Sequence, residues 1–188
     1  MTSTGLYKEL NYVNASRQNR LRYARLVLNN LSLLPELIDI LCMVNDKNSC
    51  RAAWILEFVC IDNIYSITPH LNKFTNNLKH IYLDSAVRTV SKICCLIAKA
   101  YCLQTSNPIK DVLTQIHKEL IIEACFDWMI SNHKVAAKVH AMETLFLFGH
   151  ENNTWIHNEL AIILQREFYE QSAGYKSRVK GILKRIKK

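Results

Sequence analysis

Glycine and proline are scarce in this sequence. Only four glycines and three prolines occur among 188 residues, whereas folds with many strands need these residues at most of their tight turns. A sandwich, a barrel or a Rossmann-type fold is therefore disfavoured. So few glycines also leave no room for a glycine-rich phosphate-binding loop. The composition predicts an all-α protein.

Long apolar runs are also missing. No window approaches the roughly 20 apolar residues that cross a bilayer. Residues 1–6 lack the basic region followed by an apolar stretch that marks a signal peptide. We therefore expect a chain that is not processed at this end and has no membrane partner.

The seven cysteines do not have the spacing of a metal site or a redox pair. Their number is odd, no C-x-x-C motif occurs, and most of them lie in apolar stretches. Cys94 and Cys95 are adjacent, so they point to different faces of a helix. We expect reduced thiols that serve as small core residues in a cytoplasmic protein, with no metal and no cofactor.

Apolar residues recur three and four positions apart over most of the chain, which is typical of amphipathic helices. An N-terminal helical cap, residues 1–31, is predicted to contain helices at 4–12 and 16–29. Residues 32–188 are predicted to form four antiparallel helix pairs in the same single domain. Their helices are expected at 33–43 and 47–60, 67–80 and 85–103, 114–130 and 134–148, and 155–169 and 172–187. The long loop in this interpretation is 104–110.

The helix pairs repeat with a period of about 40 residues, as in helical solenoids. A basic residue followed by small and large apolar residues opens each second helix, at Arg51, Arg88, Lys138 and Arg178. A leucine stands in each first helix, at Leu37, Leu71, Leu120 and Leu160. The leucine precedes its basic partner by 14, 17, 18 and 18 residues. Both markers therefore keep nearly one register.

These openings resemble HEAT and armadillo-type repeats. In the HEAT pattern an aspartate occupies the turn and a Val-Arg or similar pair opens the second helix. Asp46 with Arg51 fits this pattern, as does Asp84 with Val87-Arg88, whereas the later pairs lack the aspartate. The resemblance covers about residues 33–187. It implies an α-α superhelix of four helix pairs with an N-terminal cap, acting as a non-catalytic binding or scaffold module for a protein partner.

A single helix hairpin cannot bury its own apolar face, so neighbouring hairpins must share a core. We expect this core to contain Trp54, Phe58, Ile93, Leu96, Phe126, Trp128, Leu145 and Phe148. Asp46 and Asp84 are expected to accept backbone N–H bonds at helix N-termini. The basic residues that open the second helices are expected to form an ion-pair ladder between repeats, with ligand contacts as the alternative.

Positive charge is concentrated at both ends of the chain. The net charge is +8, residues 14–30 contain four arginines, and residues 174–188 contain seven basic residues without any acid in either segment. Such segments either solubilise the ends of a solenoid or contact a polyanion such as nucleic acid. The candidate binding residues are Arg17, Arg20, Arg51, Arg88, Lys138, Arg178, Lys180, Lys184 and Arg185.

The spacing of the residues supports neither a catalytic aspartate nor a metal site. Some HEAT-like proteins are DNA glycosylases with a concave-face aspartate and aromatics, but Asp127 and Trp128 are adjacent and must point to different sides of a helix. Nucleic-acid binding of a DNA-repair type is thus the alternative function, without a catalytic residue. His133, His140 and Glu143 can share a helix face, yet no further metal ligand follows at helical spacing.

The runs 51–58 and 135–145 are also similar to small all-helical proteins that carry the name adenylosuccinate lyase. The true lyases resemble one another in a Ser-Ser-x-Met-Pro-x-Lys-x-Asn-Pro loop that supplies the catalytic serine. This sequence contains no such loop. A lyase-like enzyme is therefore the third alternative, by resemblance only.

Overall fold

A computed structural model describes residues 3–150 and 154–187. These residues form eleven α-helices and five 3-10 segments, with no strand between them. The all-α prediction is confirmed. The α-helices are α1 (Ser3–Glu9), α2 (Arg17–Asn29), α3 (Leu34–Leu41), α4 (Lys47–Asp62), α5 (Leu71–Asn77), α6 (Asp84–Tyr101), α7 (Pro108–Val112), α8 (Gln115–Ile130), α9 (Val135–Phe148), α10 (Thr154–Glu167) and α11 (Ala173–Ile186).

Two of the predicted segments were wrong. The helix expected at 67–80 is a 3-10 segment, Ile64–His70, followed by α5 and a second 3-10 turn, Leu78–His80. Pro69 lies inside the first segment, and its missing N–H disfavours a regular α-helix there. The loop expected at 104–110 contains the start of α7, because the Asn107 side chain caps that helix.

The two aspartates in the turns have different roles. Asp46 is the N-cap of α4 and accepts a 2.7 Å bond from the backbone N–H of Asn48, as predicted. It also accepts a bond from the Tyr7 hydroxyl, and these two bonds hold the pKa of its carboxyl below the ordinary value. The capping prediction for Asp84 was wrong. Asp84 lies in the first turn of α6, and its carboxylate pairs with His133 at 2.8 Å.

The helices contact one another in chain order. Along one series α2 packs on α4, α4 on α6, α6 on α9, and α9 on α11. Along the other, α5 packs on α8 and α8 on α10. We call the first series the second-helix layer and α5, α8 and α10 the first-helix layer. The large contacts of α6 with both α4 and α9 place α6 in the middle of the second-helix layer.

The buried apolar side chains form one continuous cluster that extends from Leu6 to Ile182. Of the eight predicted core residues, four are buried: Ile93, Trp128, Leu145 and Phe148. The other four pack against the cluster but are only partly buried: Trp54, Phe58, Leu96 and Phe126. Helical periodicity marks an apolar face without separating its centre from its edge, which explains the difference.

Four of the seven cysteines are buried, namely Cys60, Cys94, Cys95 and Cys125. Burial raises the pKa of Cys95 to about 11, so this thiol stays protonated near neutral pH and is a poor nucleophile. The interpretation as core residues is confirmed for these four. It was wrong for Cys102, which is exposed.

Among the helices described above, none is both long enough and apolar enough to cross a bilayer.

Candidate anion-binding groove

One face of α6 carries a stripe of basic side chains. Arg88, Lys92 and Lys99 are separated by four and seven residues, and this spacing brings helical side chains to one face. Because α6 lies between α4 and α9, the stripe is flanked by both neighbours. It forms the middle of a groove along the second-helix layer.

The N-terminal part of the groove has a volume of about 340 Å³ and lies between α2, α4 and α6. Arg17 and Arg20 come from α2, Phe58 from α4 and Lys92 from α6. The guanidinium of Arg20 lies 5.2 Å from the ring centre of Phe58 and 5.8 Å from that of Trp54. Cation–π attraction to these rings holds Arg20 at the edge of the groove.

The centre of the groove is organised by one buried carboxylate. The side chain of Glu57 is only 4% exposed, and it accepts a 2.8 Å bond from Lys92 Nζ and a longer 3.4 Å contact from Arg88. A buried charge is tolerated only when it is paired, so Glu57 needs these cations. The cations keep about a third of their surface exposed, at 33% and 31%. They remain accessible to an anion in solution.

The C-terminal part has a volume of about 670 Å³ and lies between α6, α9 and α11. Its polar lining includes Lys99, His140, Glu143, Arg178 and Arg185. The guanidinium of Arg185 donates hydrogen bonds from both of its terminal nitrogens to the Glu143 carboxylate, with distances of 2.9 to 3.1 Å. This bidentate pair fixes α11 against α9.

The pKa of the His140 imidazole is lowered by its surroundings in the groove. Burial, together with the charges of nearby Lys92, Arg88 and Lys99, lowers this pKa to about 4, against the opposing effect of Glu57. The ring is therefore neutral near pH 7. His140 lines the C-terminal part, whereas Lys92 belongs both to the centre and to the N-terminal part.

We call these two cavities along α6, together with the Glu57 cluster, the cationic groove. Its basic members are Arg17, Arg20, Arg88, Lys92, Lys99, Arg178 and Arg185. They face three acids, Asp62, Glu57 and Glu143. Seven cations against three carboxylates leave a positive potential that attracts anions.

Five of the nine predicted binding residues lie in this groove: Arg17, Arg20, Arg88, Arg178 and Arg185. The other four lie outside it. Arg51 donates a 2.7 Å bond to Asn48 on its own helix. Lys180 lies 5.9 Å from the ring centre of Phe168, and Lys184 is exposed on α11.

Lys138 is the clearest departure from the binding prediction. It is buried, and its ammonium pairs with both carboxylate oxygens of Glu167 at 3.0 and 3.1 Å. Together with Arg88–Glu57, this pair joins successive helix pairs, as the ladder prediction expected. The prediction of an ion-pair ladder was wrong for Arg51 and Arg178, because neither side chain forms an ion pair within residues 3–150 and 154–187.

Sequence reasoning missed Lys92, Lys99 and the acid Glu57, and it considered His140 only as a metal ligand. A signal for the two lysines was present, because Lys92 and Lys99 follow Arg88 by four and eleven residues and share its helix face. Nothing in the local sequence placed Glu57 or His140 beside them. Glu57 belongs to α4 and His140 to α9, and both helices lie beside α6 only because they pack on it in the folded chain.

The other candidate chemical groups do not join the groove. His133 pairs with Asp84, and Asp127 is exposed while its neighbour Trp128 is buried, as their adjacency predicted. Within the part of the chain that the structure describes, no three His, Cys, Asp or Glu side chains are grouped so that they could hold a metal ion.

Comparison with known proteins finds no relative. No protein-family model, curated protein or solved structure matches this chain. Function is therefore inferred from the geometry and charge of the cationic groove alone.

Proposed function

We propose that this chain is a non-catalytic binding module of the HEAT or armadillo type, whose cationic groove binds the phosphate backbone of nucleic acid. The excess of seven basic over three acidic side chains along the second-helix layer carries this proposal. In it, the four helix pairs stack as a right-handed superhelix behind the N-terminal cap. The groove follows the second-helix layer.

The order of helix contacts supports the repeat architecture. Each helix of the second-helix layer packs on the next one along the chain, from α2 through α4, α6 and α9 to α11. Solenoids are stabilised by contacts of this nearest-neighbour kind. The ion pairs Glu57–Arg88 and Glu143–Arg185 reinforce two of these steps.

The length of the groove favours an extended ligand over a small anion. Packed helices are separated by about 8–10 Å, so the four steps from α2 to α11 correspond to roughly 30–40 Å. A phosphate backbone presents one charge after another over such a distance, and each phosphate can be met by a lysine or arginine. The partly exposed side chains of Arg88 and Lys92 occupy the middle of that path.

The buried cysteines support a cytoplasmic location. Cys60, Cys94, Cys95 and Cys125 are free thiols in the core, and reducing compartments keep thiols in this state. Nucleic acids are present in such a compartment. We place the protein there.

The test measures fluorescence anisotropy of labelled single-stranded and duplex DNA and RNA with the full chain at two salt concentrations. We expect saturable binding that weakens steeply with salt. The groove variant is Lys99→Gln with Arg178→Gln, which keeps both partners of Glu57. The slope of log affinity against log salt should become less steep by about 2, since two phosphate contacts are lost.

The matched control is Lys180→Gln with Lys184→Gln, which removes the same charge from α11 outside the groove. Its salt slope should stay close to that of the unmodified chain. Absence of binding at low salt overturns the proposal. Equal losses in the control and the groove variant assign binding to the basic C-terminal segment and remove it from the groove.

A further inference from the structure

A second groove, of about 500 Å³, lies between α8 and α10 in the first-helix layer. Its charged lining is entirely acidic, although the chain as a whole carries +8. Glu119, Glu123 and Asp127 follow Gln115 at intervals of four residues, so neighbouring members lie side by side in a line that winds slowly around α8. We call this surface the acidic groove.

The acids of this line have few internal partners. Glu119 accepts a 3.0 Å bond from the amide of Gln115. Glu123 and Asp127 are exposed, and neither forms an ion pair with any residue in 3–150 or 154–187. Like charges four residues apart on a helix repel each other. This line therefore lowers helix stability unless a cation of another molecule neutralises it.

An apolar floor accompanies the acids. The rings of Phe126 and Trp155 are stacked with their centres 5.8 Å apart, above the buried side chains of Ile122 and Ile156. Trp155 remains 55% exposed. A large exposed aromatic beside a concave surface is typical of a protein-contact site.

We infer that the acidic groove docks a basic amphipathic helix of a protein partner. Such a helix has lysine or arginine at every fourth position, and four residues of helix rise about 6 Å, which matches the spacing of Glu119, Glu123 and Asp127. Its apolar residues, on the adjoining stripe, insert beside Trp155 and Phe126. Recognition of this kind combines apolar anchors with charge complementarity.

The chain's own basic helix is a poorer occupant. Lys176, Lys180 and Lys184 of α11 have the required spacing of four residues. The large apolar side chains of α11, however, all pack on its own core: Tyr175, Val179 and Ile182 are buried, and Leu183 and Ile186 are partly buried against the same cluster. A second copy can therefore offer charge to the acidic groove without a fully exposed apolar anchor. A nucleic acid is excluded by the sign of its charge.

The test uses a synthetic, fluorescently labelled 18-residue helical peptide with lysine at every fourth position and leucine on the adjoining stripe. A second peptide has glutamine in place of every lysine, so that it carries no negative charge for the cationic groove to attract. Anisotropy is measured against the full chain at low salt. We expect saturable binding of the lysine peptide only, even though the protein itself is positively charged.

The groove variant is Glu123→Gln with Asp127→Asn, which should weaken peptide binding roughly tenfold, since two ion pairs are lost. The matched control is Asp111→Asn with Glu170→Gln, two exposed acids outside the groove, and it should bind the peptide like the unmodified chain. Trp155→Ala should weaken binding independently of salt. Nucleic-acid binding should be unchanged in all three variants, which separates this inference from the cationic groove.

Several results would overturn the inference. Failure of the lysine peptide to saturate, equal binding of the glutamine peptide, or an equal loss in the control variant each removes the groove as its site. Sedimentation velocity of the unmodified chain provides a further check. A dimer that disappears with Glu123→Gln and Asp127→Asn would assign the groove to a second copy of the chain.

Discussion

Lys138 and Glu167 form a buried ion pair that links α9 to α10. The side chain of Lys138 is 6% exposed and that of Glu167 is 14% exposed, with the ammonium within 3.1 Å of both carboxylate oxygens. The Tyr175 hydroxyl donates a further 3.0 Å bond to the same carboxylate. Lys138 therefore stabilises the junction between the last two helix pairs.

Lys138→Met should lower the free energy of unfolding by about 3 kcal/mol, because it leaves the Glu167 carboxylate buried without its cation. Urea denaturation monitored by circular dichroism measures this loss. Lys138→Met combined with Glu167→Gln should recover part of it, since no buried charge then remains. A double variant that is less stable than the single one contradicts the explanation. Nucleic-acid affinity of the folded variants should not change, because Lys138 lies outside the cationic groove.

His140 makes stability depend on pH. Its pKa lies at about 4 in the folded protein, mainly because of burial, against 6.5 as the ordinary value. The unfolded chain thus binds a proton that the folded one does not, and stability is lost as the pH falls from 6.5 towards 4. Between pH 7 and pH 5 this loss should be about 1 kcal/mol, a value that allows for solvent screening of a partly exposed ring.

The check for His140 compares urea denaturation of the unmodified chain and of His140→Gln at both pH values. The carboxylates contribute to both proteins, so the difference between them isolates the imidazole. The unmodified chain should lose more stability than His140→Gln. Identical pH dependence in the two proteins would show that His140 is not held neutral by its surroundings.

Gly149 and Gly181 should respond in opposite ways to alanine. A Cβ on Gly181, inside α11, meets no atom within 4 Å, and alanine is the better helix former by about 1 kcal/mol. Gly181→Ala should therefore raise the thermal midpoint. A Cβ on Gly149 collides with the ring of His157, which a 2.8 Å bond to the Phe146 carbonyl holds in place.

Gly149→Ala should consequently destabilise the protein by about 1–3 kcal/mol, as expected for overpacking. Differential scanning calorimetry of both variants provides the comparison. Adding His157→Ala to Gly149→Ala removes the colliding ring and tests the cause. If the added change does not reduce the effect of Gly149→Ala, the collision is not its origin.

Asn107 should be essential for the short helix α7. Its buried side chain accepts bonds from the backbone N–H groups of Ile109 and Lys110 and donates a 2.9 Å bond to the Ala100 carbonyl. Asn107→Ala removes the cap and leaves that carbonyl without this partner, which should cost about 2 kcal/mol. Hydrogen exchange should show faster exchange at residues 108–112. Asn76→Ala, on the exposed end of α5, is a control with a small expected effect.

Much of the helical framework could be predicted from the sequence, because apolar periodicity and caps are local signals. The turn at Asp46 was identified from the residues within it. Asp84 occupies a similar position in the pattern, yet it pairs with His133, 49 residues away. A local pattern carries no information about such a partner.

The candidate site was predictable only in part for the same reason. Arg88 and Lys138 hold equivalent places in the repeat, but Arg88 is partly exposed beside Glu57 while Lys138 is buried against Glu167. The difference depends on which helix packs above each residue. The acidic groove shows the same limit, since Trp155 and Glu123 come from separate helices and form one surface only after α8 and α10 meet.

The three tryptophans are distributed so that each reports on a different part of the molecule. Trp54 lies under Arg20 beside the cationic groove, Trp155 lines the acidic groove, and Trp128 is buried in the core. Chains that retain one tryptophan at a time, with phenylalanine at the other two positions, would emit from a single location. Occupancy of either groove and the loss of the core could then be followed as separate optical signals in the same protein.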